Sequence, residues 1–289
     1  MAIIAKIMEK RTNSKDLFRR MVSDITIAES GGEIESIAYL VMHSLFGVRR
    51  EQIMAGKEIA YDEKGLEEII TRINSNEPVQ YILQEAEFYG RLFFVDRNVL
   101  IPRPETELLV REVLDHARGR KSLKVLDVGV GSGCIAVTLA CELPDAIVTA
   151  TDISNGAIEV AHRNSLTFNT YIDFFVNDIL NDDLPVTEAD IIVSNPPYVA
   201  LAESSMMSPN VLEHEPHLAL FVPDNDRLVF YKAIAKQAAK ILNRPGVVFV
   251  EINERYGEDV KAIFIENGFE AGIIRDIDRK DRIVKAWVY

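Results

Sequence analysis

The stretch Lys124-Val125-Leu126-Asp127-Val128-Gly129-Val130-Gly131-Ser132-Gly133-Cys134-Ile135-Ala136 narrows the choice of fold more than any other part of the chain. An apolar run passes through three alternate glycines into a helical sequence, so strand, tight turn and helix follow at once. Glycines there let the backbone approach a ligand closely, and the helix amino end offers unpaired N–H groups. The alternation continues: Ala146 to Asp152 reads as a second strand, Ser154 to about Phe168 as a helix, and Ile172 to Asp178 as a third strand. Strand, helix and strand repeated in this way mean a parallel, doubly wound sheet. The expected class is α/β.

The turn also carries a preference among ligands. A dinucleotide fingerprint needs Gly-x-Gly-x-x-Gly, and the register Gly129-x-Gly131-x-x-Cys134 fails at its last position. The spacing is instead Asp127-x-Gly129-x-Gly131-x-Gly133, with an acid on the strand just before the turn. An acid there repels a pyrophosphate but pairs, directly or through water, with the ammonium group of an amino acid. That points to S-adenosylmethionine held by Asp127, Gly129, Val130, Gly131, Ser132 and Gly133. Asp152 stands 23 residues after Gly129, where a carboxylate accepts from ribose hydroxyls; its plainer reading is a helix cap. Asp178 would accept from the adenine amino group, with Ile179 against the ring.

A second constellation follows the apolar run Ala189-Asp190-Ile191-Ile192-Val193, which reads as a buried strand. Asn195-Pro196-Pro197-Tyr198 then falls at its carboxyl end, where open α/β sheets place their ligands. Two prolines cannot continue a ladder, because neither has an N–H and both fix φ. The Pro196 carbonyl is left free beside an amide side chain and an aromatic ring. Two acceptors and a flat ring suit a planar –NH2 group. A lone Pro-Pro would read as a turn; the glycine-rich element upstream gives this one a chemical reading, with Asn195 also at the cofactor.

The 289 residues are 48% hydrophobic and 27% charged, enough for one large domain and a smaller one. No run approaches a membrane span, and the amino terminus is interrupted by charge at Lys6, Glu9 and Lys10, so neither span nor signal peptide is expected. Two cysteines make no disulfide framework; on one helix, Cys134 and Cys141 stand about 10 Å apart along its axis. Reducing cytoplasm is the expected compartment. Residues 1–85 carry 11 Lys and Arg against 14 Asp and Glu, or −3, and the remainder 21 against 31, or −10. A balance so acidic is poorly suited to a phosphate backbone, which rewards clustered Lys and Arg.

Residues 1–76 show helical periods and little strand signal, so a small all-helical domain is expected there, serving partner recognition or packing alone. Leu17, Met21 and Ile25 share a face, as do Leu66, Ile69, Ile70 and Ile73, with breaks at Gly31-Gly32 and Gly47. His43 reads as packed rather than as a ligand. Residues 77–105 form a linker with short strands or a hairpin about Gly90, and Pro102 and Pro104 lead into a helix near Thr106. Arg103 is either a ligand contact or a surface arginine. Residues 106–289 form the catalytic domain. Its long segment from Tyr198 to Pro223 lacks periodicity, as functional loops do; His214 and His217 flank Glu215, but no third ligand is evident and no metal is expected. A helix from Asp226 to Leu242, a strand Val247–Ile252, a helix Glu254–Glu266 and a closing antiparallel hairpin, 270–277 with 282–288, complete the chain.

Together Asp127-x-Gly-x-Gly-x-Gly, Asp152, Asn177-Asp178 and Asn195-Pro-Pro-Tyr198 resemble a class I, Rossmann-like S-adenosylmethionine-dependent methyltransferase that methylates amino groups. Phe88-Tyr89-Gly90, Ile101-Pro102-Arg103-Pro104-Glu105-Thr106-Glu107 and Glu215-Pro216-x-Leu218-Ala219-Leu220 bring the likeness closer to the PrmC (HemK) family of release-factor glutamine N5-methyltransferases. The match spans roughly Glu77 to Arg282. The sequence departs from that family at Gln84, Val222-Pro223, Asn253 and Tyr256, near the substrate loops. The resemblance implies methyl transfer to the glutamine of the Gly-Gly-Gln loop of a peptide chain release factor. Asn195, Pro196, Pro197 and Tyr198 would carry it, with release factors as partners; no membrane is expected, and the acidic balance speaks against nucleic acid. A ribosomal-protein glutamine methyltransferase, a nucleic-acid amino-methyltransferase and a non-catalytic translation factor remain as alternatives.

Overall fold

The computed structural model describes residues 9–289, apart from the side chains of Glu9 and Met206; the charge-interrupted amino terminus, residues 1–8, lies outside the described residues. The chain forms two compact units, Met1–Gln84 with Pro209–His214, and Glu85–Ser208 with Glu215–Tyr289.

In the larger unit the apolar runs become seven strands of one sheet: β1 Lys124–Val128, β2 Ile147–Asp152, β3 Ile172–Val176, β4 Ala189–Ser194, β5 Leu242–Glu251, β6 Glu270–Arg275 and β7 Asp281–Val288. Their order across the sheet is β3-β2-β1-β4-β5-β7-β6. The first five are parallel, and β7 joins β5 antiparallel and closes on β6 as the expected hairpin. Successive residues of each central strand face opposite layers. Val125, Ile191, Val247 and Ile283 pack under helices α1 Thr106–Ala117, α2 Cys134–Glu142 and α3 Asn155–Thr167. Leu126, Ile192, Val248 and Val284 pack against α4 Val229–Ile241 and α5 Gly257–Glu266. Both faces are covered, so these strands read as continuous apolar runs rather than alternating ones. Each fully buried Val, Ile or Phe contributes about 1.5–3 kcal/mol. Cys134 and Cys141 share α2 as free thiols.

The hairpin about Gly90 is present, Glu85–Phe88 against Arg91–Phe94, with Tyr89 at φ 51 and Gly90 at φ 70. Two positive φ values make the tight turn whose twist matches paired strands. Buried Asn164 on α3 anchors it, donating to the carbonyls of Phe94 and Ser132 and accepting from the Phe94 amide. The segment from Tyr198 to Pro223 is more ordered than expected: Val199–Ala200 pairs with Phe221–Val222, and short helical turns lie between.

The smaller unit contains the expected helices, Ser14–Asp24, Gly31–Phe46 and Glu63–Asn74, with shorter turns at Arg50–Met54 and Val79–Leu83. Leu17, Met21, Ile25, Leu66, Ile70 and Ile73 are buried together. It is not all-helical: Glu9–Asn13 pairs antiparallel with Glu58–Asp62, whose Ile59 and Tyr61 point inward while Glu58, Ala60 and Asp62 point out. That alternation is a strand signal of only five residues, short enough to be hidden by charge. The breaks between helices fall where expected: Gly31 and Gly32 open the second helix, and Gly47 ends it in the left-handed conformation. His43 is exposed on that helix's last turn rather than packed.

Candidate active site

The parallel register brings the singled-out residues into one row. Val128 lies beside both Thr151 and Ser194, and Asp152 beside Val176, so Gly129, Asp152, Asn177 and Asn195 all emerge at the carboxyl edge. One cleft there is lined by Gly129, Val130, Gly131, Ser132, Asp152, Asp178 and Ile179 on one side and Asn195, Pro196 and Pro197 on another. Ser194 locks the two central strands by donating its hydroxyl to the Val128 carbonyl at 2.6 Å.

Gly129 at φ +82 and Gly131 at φ +52 have nothing within 4 Å of where a Cβ would stand. Their backbone is the cleft wall itself, and a side chain would occupy the ligand's space. Gly133 does not line the cleft. A Cβ there would come within 3.0 Å of the Ala161 Cβ, so this glycine sets the close packing of α2 on α3 rather than a contact with the ligand.

Asp152 accepts from the Gly131 amide at 3.0 Å through Oδ2 and from the Ser154 amide at 2.9 Å through Oδ1, and burial raises its pKa. The helix cap is Ser154, whose hydroxyl accepts from the Ala157 amide, so the capping reading of Asp152 does not hold. Asp178 accepts from the Leu180 amide and the Asn181 side chain, which fixes its carboxylate at the cleft rim. Asn177 lines the cleft too, and its buried Oδ1 has no hydrogen-bond partner among the described residues.

Asp127 stands elsewhere. It is fully buried one residue short of the strand end and does not line the cleft. Burial holds its carboxyl well above the usual range, offset in part by the Ala136 amide and reinforced by Asp152.

Asn195 and Pro196 face the cleft side by side, and no hydrogen bond to the Pro196 carbonyl occurs among the described residues. The Asn195 side chain donates from Nδ2 to Thr106 Oγ1 at 3.1 Å, leaving Oδ1 as the remaining acceptor. Tyr198 is not part of the cleft wall. Its ring packs against the core layer of α4 and α5, its hydroxyl lies 3.5 Å from Glu251 Oε1, and burial raises its pKa.

Arg103 lines the cleft and is paired: its guanidinium donates to Glu215 Oε1 at 2.7 Å, while Glu215 Oε2 accepts from the Ile101 amide at 3.2 Å. Glu215, flanked by His214 and His217, is thus spent as a strut that joins residues 101–103 to the loop at 215. The cleft also takes Phe230 and Ile234 from α4. Their only trace in the sequence is the apolar face of an ordinary amphipathic helix. Thr106 and Glu251 were likewise unassigned, one at the start of α1 and the other at the end of β5. Of the loop departures, Val222 is buried in its short strand pair, and the Tyr256 hydroxyl accepts from Arg227 at 2.6 Å.

A family model described as "Methyltransferase small domain" matches residues 104–217. The chain is 42% identical over 277 residues to the release factor glutamine methyltransferase of Bacteroides thetaiotaomicron, covering 93% of this chain and 96% of that one. It is 39% identical over 260 residues to that of Flavobacterium psychrophilum, covering 88% and 91%. Among solved structures, a methyltransferase from Pyrococcus furiosus aligns over 75% of this chain and 96% of its own, with TM-score 0.51 and 18% identity, a likeness of fold alone. On the two relatives' identity and coverage, the chain belongs to the release factor glutamine methyltransferase family.

Proposed function

We propose that the protein transfers a methyl group from S-adenosylmethionine to the side-chain amide nitrogen of a glutamine, that of the Gly-Gly-Gln loop of a peptide chain release factor. The residues at the cleft suit this donor. Two glycines leave open space at the wall, Asp152 and Asp178 present carboxylates, and Asn177 has an acceptor without a partner among the described residues. Gly129, Val130, Gly131 and Ser132 would hold the amino-acid portion, Asp152 the ribose, and Asp178 with Ile179 the base. When bound, the donor supplies an electrophilic methyl on a sulfonium.

An amide nitrogen is a weak nucleophile, because its lone pair is delocalised into the carbonyl. The Asn195 Oδ1 and the Pro196 carbonyl would accept its two N–H bonds, aim the nitrogen into the cleft, and stabilise positive charge as it develops. Pro197 keeps the turn rigid. Tyr198 supports that turn from the core side rather than stacking on the substrate amide. The adjacency of these two acceptors to the glycine-lined cleft carries the reading. Asn195→Ala is expected to cut turnover by about 10²-fold, as loss of one preorganised polar contact does elsewhere. Near-normal turnover in that variant would contradict the mechanism.

A further inference from the structure

The Asn195 amide works only in one orientation: with Nδ2 toward the cleft it would present a donor to a substrate nitrogen that is itself a donor. A buried hydrogen-bond chain fixes the choice. Thr106, 2% exposed, donates its hydroxyl to Glu251 Oε2 at 2.7 Å. Having spent its only proton, Thr106 Oγ1 can only accept from Asn195, as the 3.1 Å contact shows. The other oxygen of the same carboxylate lies 3.5 Å from the Tyr198 hydroxyl. Both ends of the Asn195-Pro196-Pro197-Tyr198 turn are therefore referred to one carboxylate, 4% exposed, at the end of β5.

We propose that Glu251 is a positioning residue for methyl transfer, which acts through the Thr106 hydroxyl to hold the Asn195 Oδ1 toward the substrate amide. The inference rests on the proposed glutamine reaction for its meaning, but not for its geometry. The direction of the chain depends on the charge of Glu251. Ionised, it accepts from Thr106. Protonated, it becomes a donor to Thr106 Oγ1, the threonine proton turns toward Asn195, and that contact then favours the flipped amide.

Burial pushes the Glu251 carboxyl up to about 7, with Glu105 adding to the rise and Thr106, Arg282 and Tyr198 opposing it. Tyr231 also faces this residue, donating its hydroxyl to the Glu251 carbonyl at 3.1 Å, and Cys134, its thiol pushed up to about 12, stays neutral nearby. The reversal thus falls within a range that kinetics and spectroscopy both reach.

The test uses the full chain with asparagine side chains labelled with 15N, the Asn195 signal assigned by its loss in Asn195→Ala. In the wild type the Asn195 side-chain amide resonances should shift with pH through a midpoint near 7. Thr106→Val should abolish that shift and Thr106→Ser restore it. In methyl transfer to a release factor, Thr106→Val should lower kcat about tenfold, the worth of one hydrogen bond to a charged network, with KM for S-adenosylmethionine within about twofold. The wild-type kcat should rise with pH through the same midpoint, and Glu251→Gln should lose that inflection. Asn195 resonances indifferent to pH in the wild type, or a Thr106→Val enzyme with wild-type kcat, would overturn the proposal. Failure of the wild type to label any release factor would overturn the glutamine reading instead, and the resonance experiment would still decide the role of Glu251.

Discussion

At Gly133 the backbone stands at φ +81, and a Cβ would meet the Ala161 Cβ at 3.0 Å and its Cα at 3.1 Å. Two costs coincide there, about 1–2 kcal/mol for a left-handed L-residue and about 1–3 kcal/mol for overpacking. Gly119 supplies the contrast: its φ is +76, but nothing lies within 4 Å of its Cβ position. Gly133→Ala should therefore lose more stability in chemical denaturation than Gly119→Ala, which bears the backbone cost alone. Equal losses would show that close packing of α2 on α3 is not what fixes this glycine. The same residue scale explains how the sequence reading divides at the site. Gly129, Gly131, Asp152, Asp178 and Asn195 announce themselves by their spacing just after apolar runs, and the parallel register carries them all to one edge. Asp127 and Gly133 share the motif, but Asp127 is buried one residue before the strand end and Gly133 faces Ala161, and neither lines the cleft. Thr106 and Glu251 are ordinary residue types 145 positions apart, and only the fold brings them to 2.7 Å.

Among the elements, the continuous apolar runs of β1, β4 and β5 were readable because strands covered on both faces need no alternation. Short elements were not. Glu9–Asn13 with Glu58–Asp62, and Val199–Ala200 with Phe221–Val222, hold few residues each, and pairing rather than propensity makes them strands. The proline-rich entry to α1 shows a similar limit. Its extended path is dictated by Pro102 and Pro104, but its anchoring depends on Glu215, more than a hundred residues away and 4% exposed. Glu215→Ala removes the acceptor of the Ile101 amide and leaves Arg103 unpaired. Hydrogen exchange at that amide should then quicken by about tenfold or more, as local opening becomes easier. Unchanged protection would mean that the prolines hold the segment without the strut.

For the whole molecule, the buried acids set the response to pH. Glu251 is pushed up to about 7, and Asp127 and Asp152 are raised as well, all chiefly by burial. Between the unfolded value of 4.5 for Glu and about 7, the folded state keeps a proton on Glu251 that the unfolded chain has lost. Stability from this group is therefore fully present below 4.5 and falls as pH rises to about 7, by on the order of 3 kcal/mol. Half-buried Glu63 and Asp276 and exposed Asp183 are lowered by hydrogen bonds from their partners, chiefly Arg20, Arg282 and Lys240, and act in the opposite sense at more acid pH. Chemical denaturation from pH 5 to 7.5 should show declining stability in the wild type and a shallower decline in Glu251→Gln; parallel curves would deny that the carboxyl is held up by burial. The central claim concerns the substrate. It is met most directly by supplying S-adenosylmethionine with a labelled methyl group to a purified release factor, beside the same factor with the glutamine of its Gly-Gly-Gln loop changed to alanine. Label on the native factor alone is the predicted result. Label on neither, with cofactor binding demonstrated, or equal label on both, would contradict it.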